Sequence, residues 1–483
     1  MPTCAVAAAA VFALALGTAA ATAADRRPNI LLIMADDHTQ AAMSCYGSKT
    51  IQTPHIDRIG SSGQRFNHMV VTNALCSPSR AVLLTGKYSH VNGFCRNGER
   101  FDASQQTFPK LMRQAGYETG IVGKWHLWSQ PTGFDYYCVM PDQGRYRDCP
   151  LKESGHPWKD GKRGGRVFPG YLTDVITDVA IDWLDSRNGD KPFLLMVHHK
   201  SPHGPHDPAP RHATLFENDQ IPEPSTLLDD YAGRAPESIA EQLRDSRLLI
   251  CRYPQYRADV AAAQQMGRDE GTRHMHQTFM KGYLRLVSSL DENVGRLLDY
   301  LDQSGLAENT IVIYTSDNGF FNGEHGLYNK MWMYEPSLHV PLLVRWPGNP
   351  HPGAVNDDAL VSMLDVAPTI LDLAGVPIPE DLQGRSFKRL LTGPTPSDWR
   401  KSVYYHYYAQ AGLPENYGVR TSRYKLIRYP DLDLWELFDL QSDPEEIRNL
   451  YGQEEYAELS AQLKAELHRL RREYQEPDAE KGE

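Results

Sequence analysis

The sequence predicts an α/β protein: a large mixed, mostly parallel sheet sandwiched by helices, followed by a smaller C-terminal α+β unit with a short antiparallel sheet. Three observations carry this. Asn29 to Met34, Phe193 to Val197 and Thr310 to Thr315 are short, continuous apolar runs. Runs without polar alternation fit strands covered on both faces, as in a parallel sheet. Each run ends in polar, chemically capable residues: Asp36-Asp37, His198-His199 and Asp317-Asn318. In open α/β sheets ligands bind beyond the carboxyl ends of the strands, so these distant segments have a place to meet.

Helical spacing is clearest from Tyr283 to Leu301, where Leu286, Val287, Leu290, Val294, Leu297 and Leu298 recur at i, i+3, i+4 intervals. That helix leads through Gly305 into the Thr310 run. Val361 to Ala374 is a second helical candidate, interrupted by Pro368, with Gly375 near its end. Pro202 to Gly233 is rich in Pro, Asp and His and reads as a long loop, a kind of segment that is often functional. Gly393 to Asp398, with two prolines, reads as a boundary. Past it, Val403 to Tyr408, Val419 to Arg420, Tyr424 to Arg428 and Trp435 to Asp439 read as short strands, and Ala457 to Tyr474 as a terminal helix. The expected organisation is a leader (1–24), a main domain (25–392), a C-terminal unit (393–475) and a flexible tail (476–483). No internal repeat is visible.

A chain of 483 residues supports one large core with a smaller companion. The formal charge of -11 argues against nucleic-acid binding. It also means that an anionic substrate must be drawn by a local basic pocket. The first two dozen residues form an apolar run, Ala5 to Leu16, followed by small residues and an Ala21-Thr22-Ala23 cleavage-like site, though without the usual basic start. The run is too short to span a bilayer, and no later segment is long and apolar enough to do so. The chain reads as exported: periplasmic or extracellular, or in a lysosome-like compartment. Among seven cysteines, Cys4 leaves with the leader. Cys138 and Cys149 are close enough in sequence to close a loop in an oxidising compartment; buried free thiols are the other reading.

The chemistry-bearing residues are few and recognisable. Cys76-Ser77-Pro78-Ser79-Arg80, followed by Thr85-Gly86, reads C-x-P-x-R with Thr-Gly five residues on. If a helix runs from Ser79 onward, Cys76 and Arg80 meet at its start, where backbone donors favour an anion. Asp36, Asp37, Asp317 and Asn318 supply three carboxylates and an amide, a hard-cation set suited to Ca²⁺ and unlike a zinc site. Lys124 and His126, two residues apart, point the same way if the backbone stays extended. His203 and His206 sit in a Pro-rich turn, Ser-Pro-His-Gly-Pro-His. Lys330 ends Gly-Glu-His-Gly-Leu-Tyr-Asn-Lys, soon after the Asp317 strand end. Alone, each has a bland reading: acids solvating a turn, an arginine in a surface ion pair, a solvent-facing lysine.

In order along the chain stand ADD, TPHID, CSPSR…TG, GKWH, PHGPH, SDNG, GEHGLYNK, VRTSRYKLI and ELFDLQSDPEEIRNL. With these motifs the chain resembles the type I, formylglycine-dependent sulfatases of the alkaline phosphatase superfamily, from Pro28 to about Tyr451. Within them it is similar to bacterial carbohydrate sulfatases of the N-acetylglucosamine-6-sulfatase and iduronate-2-sulfatase types. The resemblance implies an alkaline-phosphatase-like fold and oxidation of Cys76 to formylglycine by a formylglycine-generating or anaerobic maturation enzyme. It implies Ca²⁺ held by Asp36, Asp37, Asp317, Asn318 and the modified residue 76. Arg80, Lys124, His126, His203 and Lys330 would surround the sulfate, with His206 a substrate contact. The hydrated aldehyde would attack sulfur, His203 or Lys330 would protonate the leaving alcohol, and His126 would take a proton when sulfate departs. The expected substrate is a sulfated polysaccharide or its oligosaccharides. Tyr404 to Tyr408 and Trp128 offer aromatic surfaces for sugar rings, or are core. Two other readings share these residues: a phosphonate monoester hydrolase or phosphodiesterase of the same superfamily, and a non-catalytic sulfoglycan-binding protein with Cys76 unmodified.

Overall fold

The structure, a computed structural model, describes residues 1, 27–159, 161–238 and 253–477. The expected leader, apart from Met1, lies outside the described residues, as do Cys4, Cys251 and the last six residues of the expected tail. No helix among the described residues is long and apolar enough to cross a membrane.

The sheet has Asn29–Asp36 at its centre, flanked on both sides by parallel strands, Phe193–Pro202 and Thr310–Ser316. Beyond Phe193–Pro202 come Glu118–Lys124 and Tyr136–Met140, also parallel, and then two short antiparallel strands, Pro150–Glu153 and Arg166–Val167. On the other side His339–Arg345 and Gln64–Val70 pair antiparallel, and Ala354–Asn356 and Val361–Ser362 add parallel to Gln64–Val70. The mixed, mostly parallel sheet is therefore the one expected. The three apolar runs are its three central strands, which is why they lack alternation.

Both faces are covered. Ile30, Leu32 and Met34 point into one apolar core with Val82 and Leu83 of helix Cys76–Thr85 and Ile370 of helix Val366–Leu373. Leu31, Ile33 and Ala35 point into the other, against Ile176 of helix Leu172–Asp185 and Leu290, Val294 and Leu297 of helix Arg268–Gln303. The period of two along the central strand puts successive side chains on opposite faces. Every one of these positions is fully buried.

Several elements differ from the sequence reading. The helix read from Tyr283 runs from Arg268, 36 residues in all. Its second half packs on the sheet and shows regular spacing. Its first half packs Met275, Phe279 and Met280 on a loop, and an irregular partner leaves an irregular pattern. The Val361 to Ala374 candidate is a strand, Val361–Ser362, a capped turn, Met363–Asp365, and a helix, Val366–Leu373. Pro368 falls in the first turn of that helix, where a missing N–H costs no bond. The Phe193 strand continues through His198-His199 to Pro202.

Past the Gly393 segment, strands Ser402–Tyr407, Asn416–Thr421, Tyr424–Tyr429 and Leu434–Asp439 form a four-stranded antiparallel sheet backed by helix Ala457–Glu473. Tyr404, Tyr405, Tyr407 and Leu467 belong to the same apolar core as Ile30 and Met34. These tyrosines are at most 1% exposed, so they pack the core and offer no face to a sugar. Glu476 is buried and lies 2.9 Å from His90 Nδ1 and 3.4 Å from His406 Nδ1. The tail is thus anchored at the residue where fraying was expected. Cys45, Cys76, Cys95, Cys138 and Cys149 are free thiols.

Candidate active site

The parallel register sets the site. Ala35 on the central strand is level with Ser316 on its neighbour, so Asp36-Asp37 and Asp317-Asn318 leave the sheet side by side. Asp37 adopts a left-handed backbone (φ 68), an uncommon state for a non-glycine residue and one that clusters at functional sites. It is held there by its N–H donating to Asp317 Oδ1 (3.2 Å) and its carbonyl accepting from Tyr283 Oη (2.8 Å). The carboxylates of Asp36, Asp37 and Asp317 each place an oxygen within 4.8 Å of the others.

Cys76 is the first residue of helix Cys76–Thr85; the expected start at Ser79 is three residues late. Both Cys76 and Arg80 therefore lie on one helix face, a turn apart. Arg80 Nε and Nη2 reach Asp317 Oδ2 at 2.9 and 2.8 Å, and Nη1 donates to the Lys124 carbonyl at 2.7 Å. Lys124 ends its strand with Nζ on the Asp36 carboxylate. Lys330 Nζ meets the Asp37 carboxylate and lies 2.8 Å from Cys76 Sγ. Asp36 Oδ1 is 3.6 Å from the same sulfur. His203 Nε2 is 3.8 Å from Asp37 Oδ2.

His126 departs from expectation. The strand ends at Lys124 and His126 has φ 57, so the backbone does not stay extended and the two side chains do not run parallel. Instead His126 Nε2 faces Asp142 Oδ1 at 3.5 Å, and its carbonyl accepts from Ser77 Oγ at 2.7 Å. His206 lines the same cavity as His203, Lys330 and Asp37. Its Nδ1 is bonded to Tyr256 Oη (2.5 Å), and its ring meets Phe279 edge-on at 4.6 Å. An aromatic cage thus fixes its orientation. Trp128 is half-buried against Gly161.

Burial dominates the electrostatics. It pushes the Cys76 thiol up to about 12, helped by Asp36 and Asp317 and opposed by Lys124 and Lys330. Asp317 rises to about 7 through burial and the charge of Asp36, against Arg80 and Lys124. Asp37 is raised by burial, against Lys330. Asp36 is pulled below the carboxylate range: burial opposes this, but Lys124, His203 and Arg80 prevail. Burial lowers His126 to about 4 and His206 to about 3, and it depresses His203 strongly.

Three buried carboxylates thus face three cations, Arg80, Lys124 and Lys330. Asn318 adds an amide oxygen that is buried and has no hydrogen-bond partner, while its Nδ2 donates to Asp37. An orphaned acceptor among converging carboxylates fits a hard divalent cation, which takes oxygen ligands. It does not fit zinc, which is held mostly by nitrogen and sulfur. With a dication bound, the pocket carries surplus positive charge inside an acidic protein.

A site that gathers cations and imidazoles around a carboxylate cluster suits hydrolysis of tetrahedral oxyanion esters. Comparison with known proteins narrows the class. A sulfatase family model matches residues 28–376. A model of the N-sulphoglucosamine sulphohydrolase C-terminal region matches residues 323–473. The chain belongs to the sulfatase family and is a sulfuric ester hydrolase. It is 42% identical to an N-acetylglucosamine-6-O-sulfatase of Bacteroides thetaiotaomicron, covering 95% of this chain and 88% of that protein. It is similar (TM-score 0.86, 41% identity, 95% of this chain and 100% of the other) to a solved structure in complex with its substrate, D-glucosamine-2-N,6-O-disulfate. A phosphonate monoester hydrolase of Agrobacterium radiobacter shares the fold at 23% identity, TM-score 0.74, over 93% of this chain and 96% of that one.

Three residues at the site escaped the sequence reading. Asp142 follows strand Tyr136–Met140; the strand-end rule flags it once that strand is recognised. Lys200 and Tyr146 frame His203. Lys200 lies in the His-His-Lys-Ser-Pro-His run, whereas Tyr146 has no local signal.

Proposed function

We propose that this sulfatase is exported and removes the 6-O-sulfate of a glucosamine-type sugar in sulfated glycosaminoglycan fragments, using a formylglycine made from Cys76 by a maturation enzyme. The supporting observation is the meeting of Cys76 with the carboxylate cluster: Sγ lies 3.6 Å from Asp36 and 2.8 Å from Lys330. In the thiol form Sγ stands where the oxygens of the hydrated aldehyde would be. The names of the similar sulfatases supply the sugar and the sulfate position. Asp36, Asp37, Asp317 and Asn318 would hold Ca²⁺, which supplies Lewis-acid polarisation of a sulfate oxygen.

The chain's own residues do the rest. Lys124, Lys330 and Arg80 present fixed positive charge toward the sulfate oxygens, and the charge that builds in the transition state meets groups already in place. An alcohol is a poor leaving group and needs a proton; His203 gives it from Nε2. His126 accepts a proton in the second half of the cycle. His206 shapes the floor of the sugar pocket with Phe279 and Tyr256.

The test is a panel of defined sulfated mono- and disaccharides, with enzyme co-expressed with a maturation enzyme. We expect sulfate release from 6-O-sulfated amino sugars. Faster turnover of a 6-phosphate or a phosphonate ester would replace this reading with the phosphohydrolase one. Binding without release would replace it with a sulfoglycan-binding role.

A further inference from the structure

We propose that Lys200 and Tyr146 are positioning residues that hold His203 with Nε2 toward the reacting ester, making it the leaving-group acid. This rests on the sulfatase mechanism above and adds residues that touch neither carboxylate cluster nor Cys76.

The geometry is specific. His203 Nδ1 lies 2.6 Å from the Gly204 carbonyl. A carbonyl only accepts, so Nδ1 carries the hydrogen. Nε2 is then the ring atom left for the site, 3.8 Å from Asp37. The same Gly204 carbonyl accepts from Lys200 Nζ at 2.9 Å. From the other side, Tyr146 Oη donates to the His203 carbonyl at 2.7 Å. Tyr146 is itself clamped: its ring stacks on Tyr171 with centroids 5.6 Å apart, and Lys200 Nζ sits 5.2 Å from its ring centre. Lys200 is 1% exposed and Tyr146 2%.

A buried ammonium is costly unless it is well partnered. Here it spends its hydrogen bond on the one carbonyl that sets the tautomer of His203. Removing it leaves that carbonyl to the imidazole alone and frees the turn. Removing the tyrosine hydroxyl releases the His203 carbonyl. In the step served, a hydroxyl of the hydrated aldehyde at residue 76 gives its proton to a carboxylate of the adjacent cluster, and its oxygen bonds to sulfur as the ester S–O bond breaks. The electron pair stays on the sugar oxygen, which takes the Nε2 proton of His203, present as the imidazolium once the anionic ester binds beside it, and the imidazole is left neutral with Nδ1–H on Gly204.

Leaving-group dependence tests this. Mature Tyr146→Phe and Lys200→Met enzymes are assayed on a 6-O-sulfated glucosamine and on 4-nitrophenyl sulfate, whose phenolate leaves without a proton. We expect kcat on the sugar to fall about 10- to 100-fold at near-constant KM, within the reach of general acid catalysis, and kcat on the aryl ester to change less than about threefold. His203→Ala should show the same pattern, with no further loss when combined with Tyr146→Phe. Equal losses on both esters, or a change in KM alone, would overturn the positioning role while leaving the sulfatase reading intact. Tyr146→Phe keeps the stacked ring, so it reports even if Lys200→Met does not fold. A wild-type enzyme inactive on both esters would overturn the underlying mechanism, and this role with it.

Discussion

Lys330 Nζ lies 2.8 Å from Cys76 Sγ, although 254 residues separate them along the chain. The same ammonium meets the Asp37 carboxylate, so one buried cation joins the nucleophile position to the acidic cluster. Burial works against its charge, but Asp37, Cys76 and Asp317 raise Lys330 above the usual lysine range. It thus stays charged at neutral pH. Lys330→Ala should therefore lower kcat by about 10²- to 10³-fold, as losing one preorganised electrostatic partner does. Steady-state kinetics on a sugar sulfate check this.

Residue 76 itself gives the sharpest chemical prediction. The peptide carrying it should show the mass of an aldehyde after maturation. Cys76→Ser should allow at most one turnover, because a serine has a single hydroxyl and cannot expel the sulfuryl group it accepts. Burst kinetics against enzyme concentration measure this directly; sustained turnover by the serine variant would sink the scheme.

Metal removal should be visible in stability as well as activity. Asp36, Asp37 and Asp317 are buried within 4.8 Å of one another, and like charges at that density disfavour the folded state unless neutralised. Extraction with EGTA should abolish turnover and lower the thermal midpoint. Ca²⁺ should restore both and Zn²⁺ neither. Binding to the folded state alone stabilises in proportion to the logarithm of ligand concentration, so the midpoint should rise with Ca²⁺.

Asp142 should matter through His126. With the carboxylate 3.5 Å from Nε2, the hydrogen is held on that nitrogen. Nδ1, buried without a partner, is left to accept a proton. An amide at position 142 can donate to Nε2 and favour the other tautomer. Asp142→Asn should reduce kcat about 10- to 100-fold with KM within about threefold, measured on the same sugar sulfate.

The Glu476 contact should make stability pH-dependent outside the carboxylate cluster. His406, His90 and burial act on Glu476 together; burial opposes ionisation, but the two imidazoles hold the carboxyl below its ordinary 4.5. His406 is raised above 6.5: burial again opposes, but Glu415 and Glu476 prevail. A lowered carboxyl stabilises above its unfolded value and loses that as pH falls through its folded one. A raised imidazole stabilises below its unfolded value and loses that as pH rises through its folded one. The contact should therefore be strongest between about pH 4.5 and 6.5. Glu476→Gln should cost about 1–3 kcal/mol there and progressively less below pH 4. Thermal melts across pH 3 to 8 follow it.

Much of this protein was legible in its residues. Asn29, Phe193 and Thr310 each open an apolar run because central parallel strands are buried on both faces. Two of their polar ends, Asp36-Asp37 and Asp317-Asn318, meet beyond the sheet, and the motif order named the family. The first turn of helix Cys76–Thr85 has no signal in the sequence, because Cys76 to Pro78 carry no apolar spacing. Strands Gln64–Val70 and His339–Arg345 were not read at all. Gln64–Val70 mixes Gln, Arg, Asn and His with its apolar positions, and its pairing comes from residues far away.

The types of residue at the site, their order and the strand ends that carry them were set by the linear chain, because apolar periodicity and local motifs are properties of neighbours. The directions in which those residues face were not. That Asp37 turns left-handed, that His126 looks to Asp142, that Lys200 shares a carbonyl with His203 and that His206 is caged by aromatic rings all depend on which segments pack together. Such contacts are settled by the register of non-adjacent strands and by burial, which only the folded chain possesses.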